Sequence, residues 1–217
     1  MNDSRFIALF LRFNPVTALL LVVNSIMIVV VLFSGGFSTE SLIESGALYY
    51  PLTVGNQEYY RMVTAMFLHG GILHFVLNML VLYYLGGHLE RLVGPFRYTI
   101  LYFASGLLSS VFVLLFSDPR TITIGASGAL FGIIGGLLML TFLRPTWFSD
   151  QAIRSIRQLM VINLILTFTI PNISIAGHVG GLIMGIALFF IIAPEQPYIY
   201  RKILELQQEQ ENSTHTA

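Results

Sequence analysis

The sequence of 217 residues contains no cysteine, so disulfides, thiolate catalysts and cysteine-based metal sites are excluded. Charge is also scarce, because only 10% of the residues are charged, against about a quarter in soluble domains. Eleven basic residues balance eleven acidic ones, and nothing indicates a nucleic-acid partner. Since 55% of the residues are hydrophobic, we expect one domain embedded in a lipid bilayer.

The gaps between charged residues predict six membrane-spanning helices. Residues 13–39, 62–89, 98–117, 121–143 and 158–194 contain no Asp, Glu, Lys or Arg. A span needs about 20 apolar residues, so the last gap is long enough for two helices, and Pro171-Asn172 in its middle indicates a turn. The predicted fold is an all-α bundle with helices near 15–33, 69–87, 98–116, 124–143, 152–170 and 173–193.

Basic residues predict the orientation of this bundle. Nine lie in segments on one side, namely Arg5, Arg12, Arg91, Arg97, Arg144, Arg154, Arg157, Arg201 and Lys202. Only Arg61 and Arg120 lie on the other side. The positive-inside rule therefore places both termini in the cytoplasm. We expect a cytoplasmic segment at 1–14, the membrane domain at 15–193, and a frayed, polar cytoplasmic tail at 194–217. The segment 34–68 is expected to be a long non-helical loop in the outer interface.

Four polar side chains are predicted to share one depth in the bundle. His74 and Asn78 lie early in the second helix, Ser127 early in the fourth and His178 early in the sixth. These three helices run in the same direction, so all four side chains are expected in the outer half of the bilayer. Polar groups are costly in hydrocarbon, which makes them candidates for a functional site.

Two glycine stripes indicate how these side chains could meet. Each stripe has a spacing of four residues, and together they comprise Gly128, Gly132, Gly136, Gly177, Gly181 and Gly185. Small residues at this spacing bring membrane helices into close contact. If the stripes pack together, Ser127 approaches His178 in the arrangement of an activated nucleophile. A lone membrane histidine could also be a proton relay or a hydrogen bond between helices.

His74 and Asn78 share one helix face because they are four residues apart. Together with the backbone N–H of Ser127 they could stabilise an oxyanion, although a polar clamp between helices has the same pattern. Acidic residues fall at the wrong depth to orient His178, which favours a Ser-His dyad over a triad. His69 and His74 have no carboxylate or cysteine nearby, so we expect neither a metal nor another cofactor.

Over about residues 60–185, the sequence resembles the rhomboid intramembrane serine proteases. The resemblance depends on a set of short motifs in a specific order. They are Tyr60-Arg61, His69-Gly70-Gly71-Ile72-Leu73-His74 with Asn78, Gly86-Gly87-His88-Leu89-Glu90-Arg91, Gly125-Ala126-Ser127-Gly128, and Gly177-His178-Val179-Gly180-Gly181 with Gly185. Tyr60-Arg61 departs from the family pattern, which more often has Trp-Arg.

The resemblance implies that Ser127 is the nucleophile and His178 its general base. It assigns the oxyanion hole to His74, Asn78 and the Ser127 amide, and it implies that Phe131 packs on the base. The supporting small residues would be Gly125, Gly128, Gly181 and Gly185. Glu90 and Arg91 would form a structural motif on the inner side.

The resemblance also implies a function and a location. The family cleaves single-span membrane proteins near the outer face, and the short form of this chain suggests a bacterial plasma membrane. We expect transmembrane protein substrates, a cap near Pro171-Asn172 and a side gate at the fifth helix. Two alternatives are a rhomboid-like pseudoprotease that binds membrane clients, and a small transporter or channel with Ser127, Asn78 and His178 as its polar relay.

Overall fold

The computed structural model describes residues 3–215, with side chains described for residue 5 and for residues 7–208. Helices account for most of this part of the chain. The α-helices are α1 (Asp3–Phe13), α2 (Pro15–Phe33), α3 (Thr39–Glu44), α4 (Arg61–Thr64), α5 (Ile72–Val81), α6 (Gly87–Val93), α7 (Pro95–Phe116), α8 (Ser127–Leu143), α9 (Asp150–Thr169), α10 (Ile175–Ile192) and α11 (Tyr198–His215). Two short strands, β1 (Leu48–Tyr49) and β2 (Ile122–Thr123), pair antiparallel.

The apolar helices lie where the gaps between charges predict them. A π-helical turn at Leu82–Gly86 joins α5 and α6 into one helix of 22 residues. In the part of the chain that is described, five helices are long and apolar enough to cross a membrane: α2, α5 with α6, α7, α9 and α10. The predicted turn at Pro171-Asn172 is confirmed, and Asn172 adopts a left-handed conformation with φ of 64°.

The fourth predicted helix differs from the other five in length. It begins at Ser127 instead of residue 124 and has 17 residues, which corresponds to about 25 Å. A spanning helix needs about 20 residues, with a range of about 17 to 25, so this helix is at the lower limit of a span. The count of six spans therefore stays a prediction, as does the location of the termini.

The helix α8 is mostly buried in the centre of the bundle and packs against both α7 and α10, which also contact each other. The predicted contact between the two glycine stripes is confirmed. A Cβ atom on Gly181 would fall against the carbonyl of Gly128, and one on Gly185 against the carbonyl of Gly132. Because no side chain separates the two backbones, α8 and α10 approach more closely than larger residues would allow.

Glu90 connects α6 to the start of α2. Its carboxylate is fully buried and accepts the backbone N–H groups of Val16 and Thr17 at 2.9 and 2.8 Å. The first N–H groups of a helix have no acceptor within the helix, so the carboxylate satisfies two of them. This contact gives the motif around Glu90 a structural role at the end of the bundle opposite Ser127.

The expectation of a non-helical loop at 34–68 is wrong, because this segment contains α3, α4, a π-helical turn at Pro51–Gly55 and a 3₁₀ turn at Ala65–Phe67. The buried side chain of Arg61 connects several parts of this segment. Its guanidinium donates to the carbonyls of Ile43 and Ala47 at 2.6 and 3.2 Å, and to the carboxylate of Glu58 at 2.7 Å. The hydrogen bond from Arg61 lowers the pKa of Glu58 below its usual value. The segment is thus an ordered part of the fold.

The tail also differs from expectation, because residues 198–215 form the helix α11 instead of a frayed end. Its sequence is rich in helix-forming Leu, Glu and Gln, and Lys202 pairs with Glu205 at 3.2 Å one turn away. The ring of Tyr198 lies against Gly94 in the turn between α6 and α7. Local pairing and this contact together explain the helix.

Candidate active site

Ser127 is the first residue of α8, and the loop before it is fixed by backbone contacts. Gly125 has φ of +120°, a conformation that side-chain-bearing residues rarely adopt, and its N–H donates to the carbonyl of Ala65 at 2.9 Å. The pairing of β1 with β2 fixes the residues just before Gly125. The free N–H groups of the first helical turn lie at Ser127, at the positive end of the helix dipole.

His178 lies opposite Ser127, in the first turn of α10. Its Nε2 atom is 2.9 Å from the Ser127 Oγ, and its side chain is buried. The close contact between Gly128 and Gly181 allows this distance, because each glycine is a near neighbour of one member of the pair. A serine hydroxyl that donates to a bare imidazole nitrogen is the arrangement of an activated nucleophile.

Phe131 covers one face of the imidazole. The two rings are stacked, with centroids 4.1 Å apart and planes inclined by 19°. Phe131 lies one turn after Ser127 on α8, so the same helix carries the serine and the ring that packs on the histidine. This contact restricts the rotation of the His178 ring about its side-chain bonds.

Thr167 of α9 contacts the other ring nitrogen of His178. The Thr167 Oγ1 is 2.9 Å from the His178 Nδ1, and its side chain is 2% exposed. Among the described side chains, no carboxylate hydrogen bonds to His178. Thr167 is not predicted by the sequence patterns above. Its only signal was its depth near the outer end of the fifth helix, and threonine is too common in membrane helices for that to single it out.

A cavity of about 140 Å³ adjoins the Ser127–His178 pair. Asn78 of α5 and Asn163 of α9 are the other polar residues in its lining. Asn78 is buried and donates one N–H to the carbonyl of His74 at 2.8 Å, which leaves the second N–H of its amide for a ligand. The cavity therefore holds the serine, the histidine and an amide donor side by side.

His74 approaches the serine from a different side. Its Nε2 lies 2.9 Å from the point that a Cβ on Gly125 would occupy, and the Ser127 Oγ lies 3.7 Å from the same point. His74 thus adjoins the serine across Gly125, and it is absent from the lining of the cavity that contains Asn78. The buried ring of His69 packs edge-on against the His74 ring, with the two ring centroids 5.0 Å apart.

A second, larger cavity of about 1090 Å³ opens at the same end of the bundle. It is bordered by the connection between α7 and α8 and by the start of α10. Asp118 and Arg120 lie in its lining, together with Asn172 and Ser174. Its lining residues do not overlap with those of the cavity beside Ser127 and His178, so the two cavities are separate.

Known proteins resemble the chain over the region that contains this site. The family model of the Rhomboid domain matches residues 56–195. The Rhomboid protease GluP of Bacillus subtilis (strain 168) is 36% identical over 151 residues, which are 70% of this chain and 29% of GluP. The RHOMBOID-like protein 4 of Arabidopsis thaliana is 32% identical over 158 residues, which are 72% of this chain and 40% of that protein.

A third relative matches along nearly all of its own length. The Putative rhomboid protease YdcA of Bacillus subtilis (strain 168) is 26% identical over 191 residues, which are 88% of this chain and 95% of YdcA. By contrast, the chain spans less than half of GluP and of RHOMBOID-like protein 4. The domain match and the apolar helices show that the chain is a multi-pass membrane protein that belongs to the rhomboid family.

Proposed function

We propose that the chain is an intramembrane serine endopeptidase with Ser127 as nucleophile and His178 as general base. The observation that carries this proposal is the distance of 2.9 Å between the Ser127 Oγ and the His178 Nε2 inside an apolar bundle. Two of the relatives, GluP and YdcA, are named as rhomboid proteases, which supports a hydrolase over a transporter.

The geometry fits an acyl-transfer reaction in two steps. The Ser127 Oγ attacks the carbonyl carbon of the scissile peptide bond while the His178 Nε2 takes the hydroxyl proton. The tetrahedral intermediate then collapses, and His178 gives this proton to the leaving amine. A water molecule activated by the same nitrogen hydrolyses the acyl-enzyme and restores the serine.

The negative oxygen of the intermediate would be stabilised by three groups around Ser127. The N–H groups of the first turn of α8 and the free N–H of Asn78 are donors next to the cavity. His74 is the third donor, from the side of Gly125. Such donors act strongly here, because water is largely excluded and they need little reorganisation during the reaction.

The substrates would be single-span membrane proteins, cleaved near the outer face. A helical substrate hides its carbonyls in hydrogen bonds within the helix, so a short stretch must unwind before attack. We assign lateral entry to α9, because 11% of its most apolar 18 residues are buried, against 28–39% in the other four long helices. The cavity beside the dyad is lined from α9 by Asn163 and from α5 by Leu77, so it lies between these two helices. The turn at Pro171-Asn172 would form the cap over the larger cavity at the same end of the bundle.

Crosslinking tests the assignment of the gate. The chain has no cysteine, so an introduced pair can bridge α5 and α9 without side reactions. The bridged protein should lose cleavage of membrane substrates and recover it after reduction. Full cleavage with the bridge closed would refute the gate. A bridge between α7 and α10, which are packed side by side, is the control and should leave cleavage unchanged.

Covalent labelling tests the catalytic proposal itself. A fluorophosphonate probe should label the wild-type protein in detergent, and both Ser127→Ala and His178→Ala should abolish labelling and substrate cleavage. Ser105→Ala is the matched control, since it removes another buried serine from the bundle. A folded wild-type protein that neither reacts with the probe nor cleaves membrane substrates would refute the proposal. Client binding or solute flux would then identify the pseudoprotease or the transporter.

A further inference from the structure

The base of the proposed dyad has a second partner that belongs to a different helix. Thr167 of α9 and Ser127 of α8 contact the two ring nitrogens of His178, each at 2.9 Å. Thr167 is almost completely buried, so bulk water does not compete for the His178 Nδ1. The imidazole is therefore held at both of its nitrogens.

The hydroxyl group of Thr167 has an acceptor on its own helix. It donates to the backbone carbonyl of Asn163, one turn earlier on α9, at 2.8 Å. A hydroxyl has one proton, and a carbonyl oxygen can only accept, so this proton is already used. The Thr167 Oγ1 can then only accept from the His178 Nδ1.

A Thr167 hydroxyl that bonds to this carbonyl favours one tautomer of the histidine. When the Nδ1 carries the proton, the Nε2 is bare and faces the hydroxyl of Ser127. A bare Nε2 is the form that a general base needs in order to take the serine proton. In serine protease triads an aspartate selects the same tautomer. Here a neutral threonine, which is itself oriented by a backbone carbonyl, occupies that place.

A threonine that bonds back to the preceding turn is a common feature of helices, so this bond alone is not informative. Thr169 makes the same type of bond to Ile165 on the same helix, at 2.8 Å, but its side chain is exposed. Thr167 differs because it is buried and because its remaining lone pair faces the Nδ1. Thr169 is therefore a matched control for Thr167.

We propose that Thr167 is a positioning residue, which holds His178 in the tautomer that leaves the Nε2 free for Ser127. This inference rests on the proposed function, because it assigns a role within the Ser127–His178 dyad. Thr167 does not line the cavity beside the dyad, so it acts through His178 and makes no contact with substrate there.

The first test compares turnover in three variants with a membrane-protein substrate. Thr167→Val keeps the shape of the side chain and removes the hydroxyl, and it should lower kcat by about 10-fold, the equivalent of one neutral hydrogen bond. KM should stay within about 2-fold of the wild type, because the substitution removes a hydrogen bond to His178 but leaves the lining of the cavity unchanged. Thr167→Ser should restore kcat to within about 3-fold. Thr169→Val should leave kcat and KM unchanged.

The second test reads the tautomer directly and does not depend on activity. Nitrogen-15 NMR of histidine side chains, assigned by difference with His178→Ala, should show the Nδ1 of His178 protonated in the wild type and in Thr167→Ser. In folded Thr167→Val the proton should shift in part to the Nε2. An unchanged tautomer in Thr167→Val would overturn the inference, as would equal losses of kcat in Thr167→Val and Thr167→Ser.

The two proposals fail in different ways. If Ser127→Ala still cleaves substrate, the catalytic role of Ser127 is refuted, whereas the NMR test of Thr167 still gives a result. If Ser127→Ala is inactive and Thr167→Val has the turnover and the tautomer of the wild type, the dyad stands and the role of Thr167 is refuted.

Discussion

Gly181→Ala tests whether the glycine contact between α8 and α10 sets the geometry of the dyad. Gly181 lies one turn after His178, and its added Cβ would meet the carbonyl of Gly128, the residue that follows Ser127. The obstacle is backbone, so no side-chain rotation can relieve it. Ordinary contact begins at 3.4 Å, so the helices must separate by about 1 Å or more, because packed interiors contain little free space.

This separation acts on a short hydrogen bond. The Ser127 Oγ and the His178 Nε2 are 2.9 Å apart, and a shift of this size moves them beyond hydrogen-bond distance. A misplacement of about 1 Å at a reacting group can lower turnover by about 100-fold. Overpacking of a well-packed core costs about 1–3 kcal/mol. We therefore expect both a lower kcat and a lower free energy of unfolding in Gly181→Ala.

The assay measures kcat with a membrane-protein substrate and unfolding in detergent for each variant. The matched control is Gly87→Ala, in the helix α6, where the nearest atom to an added Cβ is the Asn14 Oδ1 at an ordinary 3.4 Å. This control should keep its kcat, and its stability should change by less than about 1 kcal/mol. If Gly181→Ala turns over substrate as fast as Gly87→Ala, the distance between the helices does not control the dyad.

Two further predictions concern the cap of α2 and the cavity. Glu90→Gln replaces one of the two oxygens that accept from Val16 and Thr17, and it should lower the free energy of unfolding by about 2 kcal/mol. Unfolding in detergent measures this, and an equal loss in the exposed-site control Glu44→Gln would contradict it. Asn78→Ala removes an amide donor beside Ser127 and should lower kcat by about 100-fold. The control, Asn163→Ala, removes the other asparagine of the cavity; a comparable loss of kcat there would argue against a special role for Asn78.

Much of the fold could be predicted because its rules are local. Charged side chains are excluded from hydrocarbon, so the gaps between charges locate the apolar helices, and Pro171-Asn172 locates the turn between the last two. The contact between the glycine stripes was also predictable, since glycine at a spacing of four residues leaves a flat helix face. In the tail the local signals for α11 were present, since the segment is rich in helix-forming residues and Lys202 can pair with Glu205, whereas the contact of Tyr198 with Gly94 depends on the tertiary structure.

Most residues of the candidate site, though not Thr167, were also available from the sequence, and so was part of their arrangement. Ser127 and His178 could be paired through the glycine stripes, whereas the start of α8 at Ser127 depends on the backbone of Gly125 and on its bond to Ala65. His74 and Asn78 share a helix face, yet the structure places only Asn78 in the cavity lining with the dyad.

By itself the sequence determined which segments are apolar enough to cross a membrane and which polar side chains they carry. Those properties follow from the free-energy cost of placing charges and unpaired polar groups in hydrocarbon. This cost depends only on the residues of each segment. Only the tertiary structure decided that Thr167 faces the second nitrogen of His178. That contact depends on how α9 packs against α10, and a hydrogen bond between helices requires a distance that no single segment specifies.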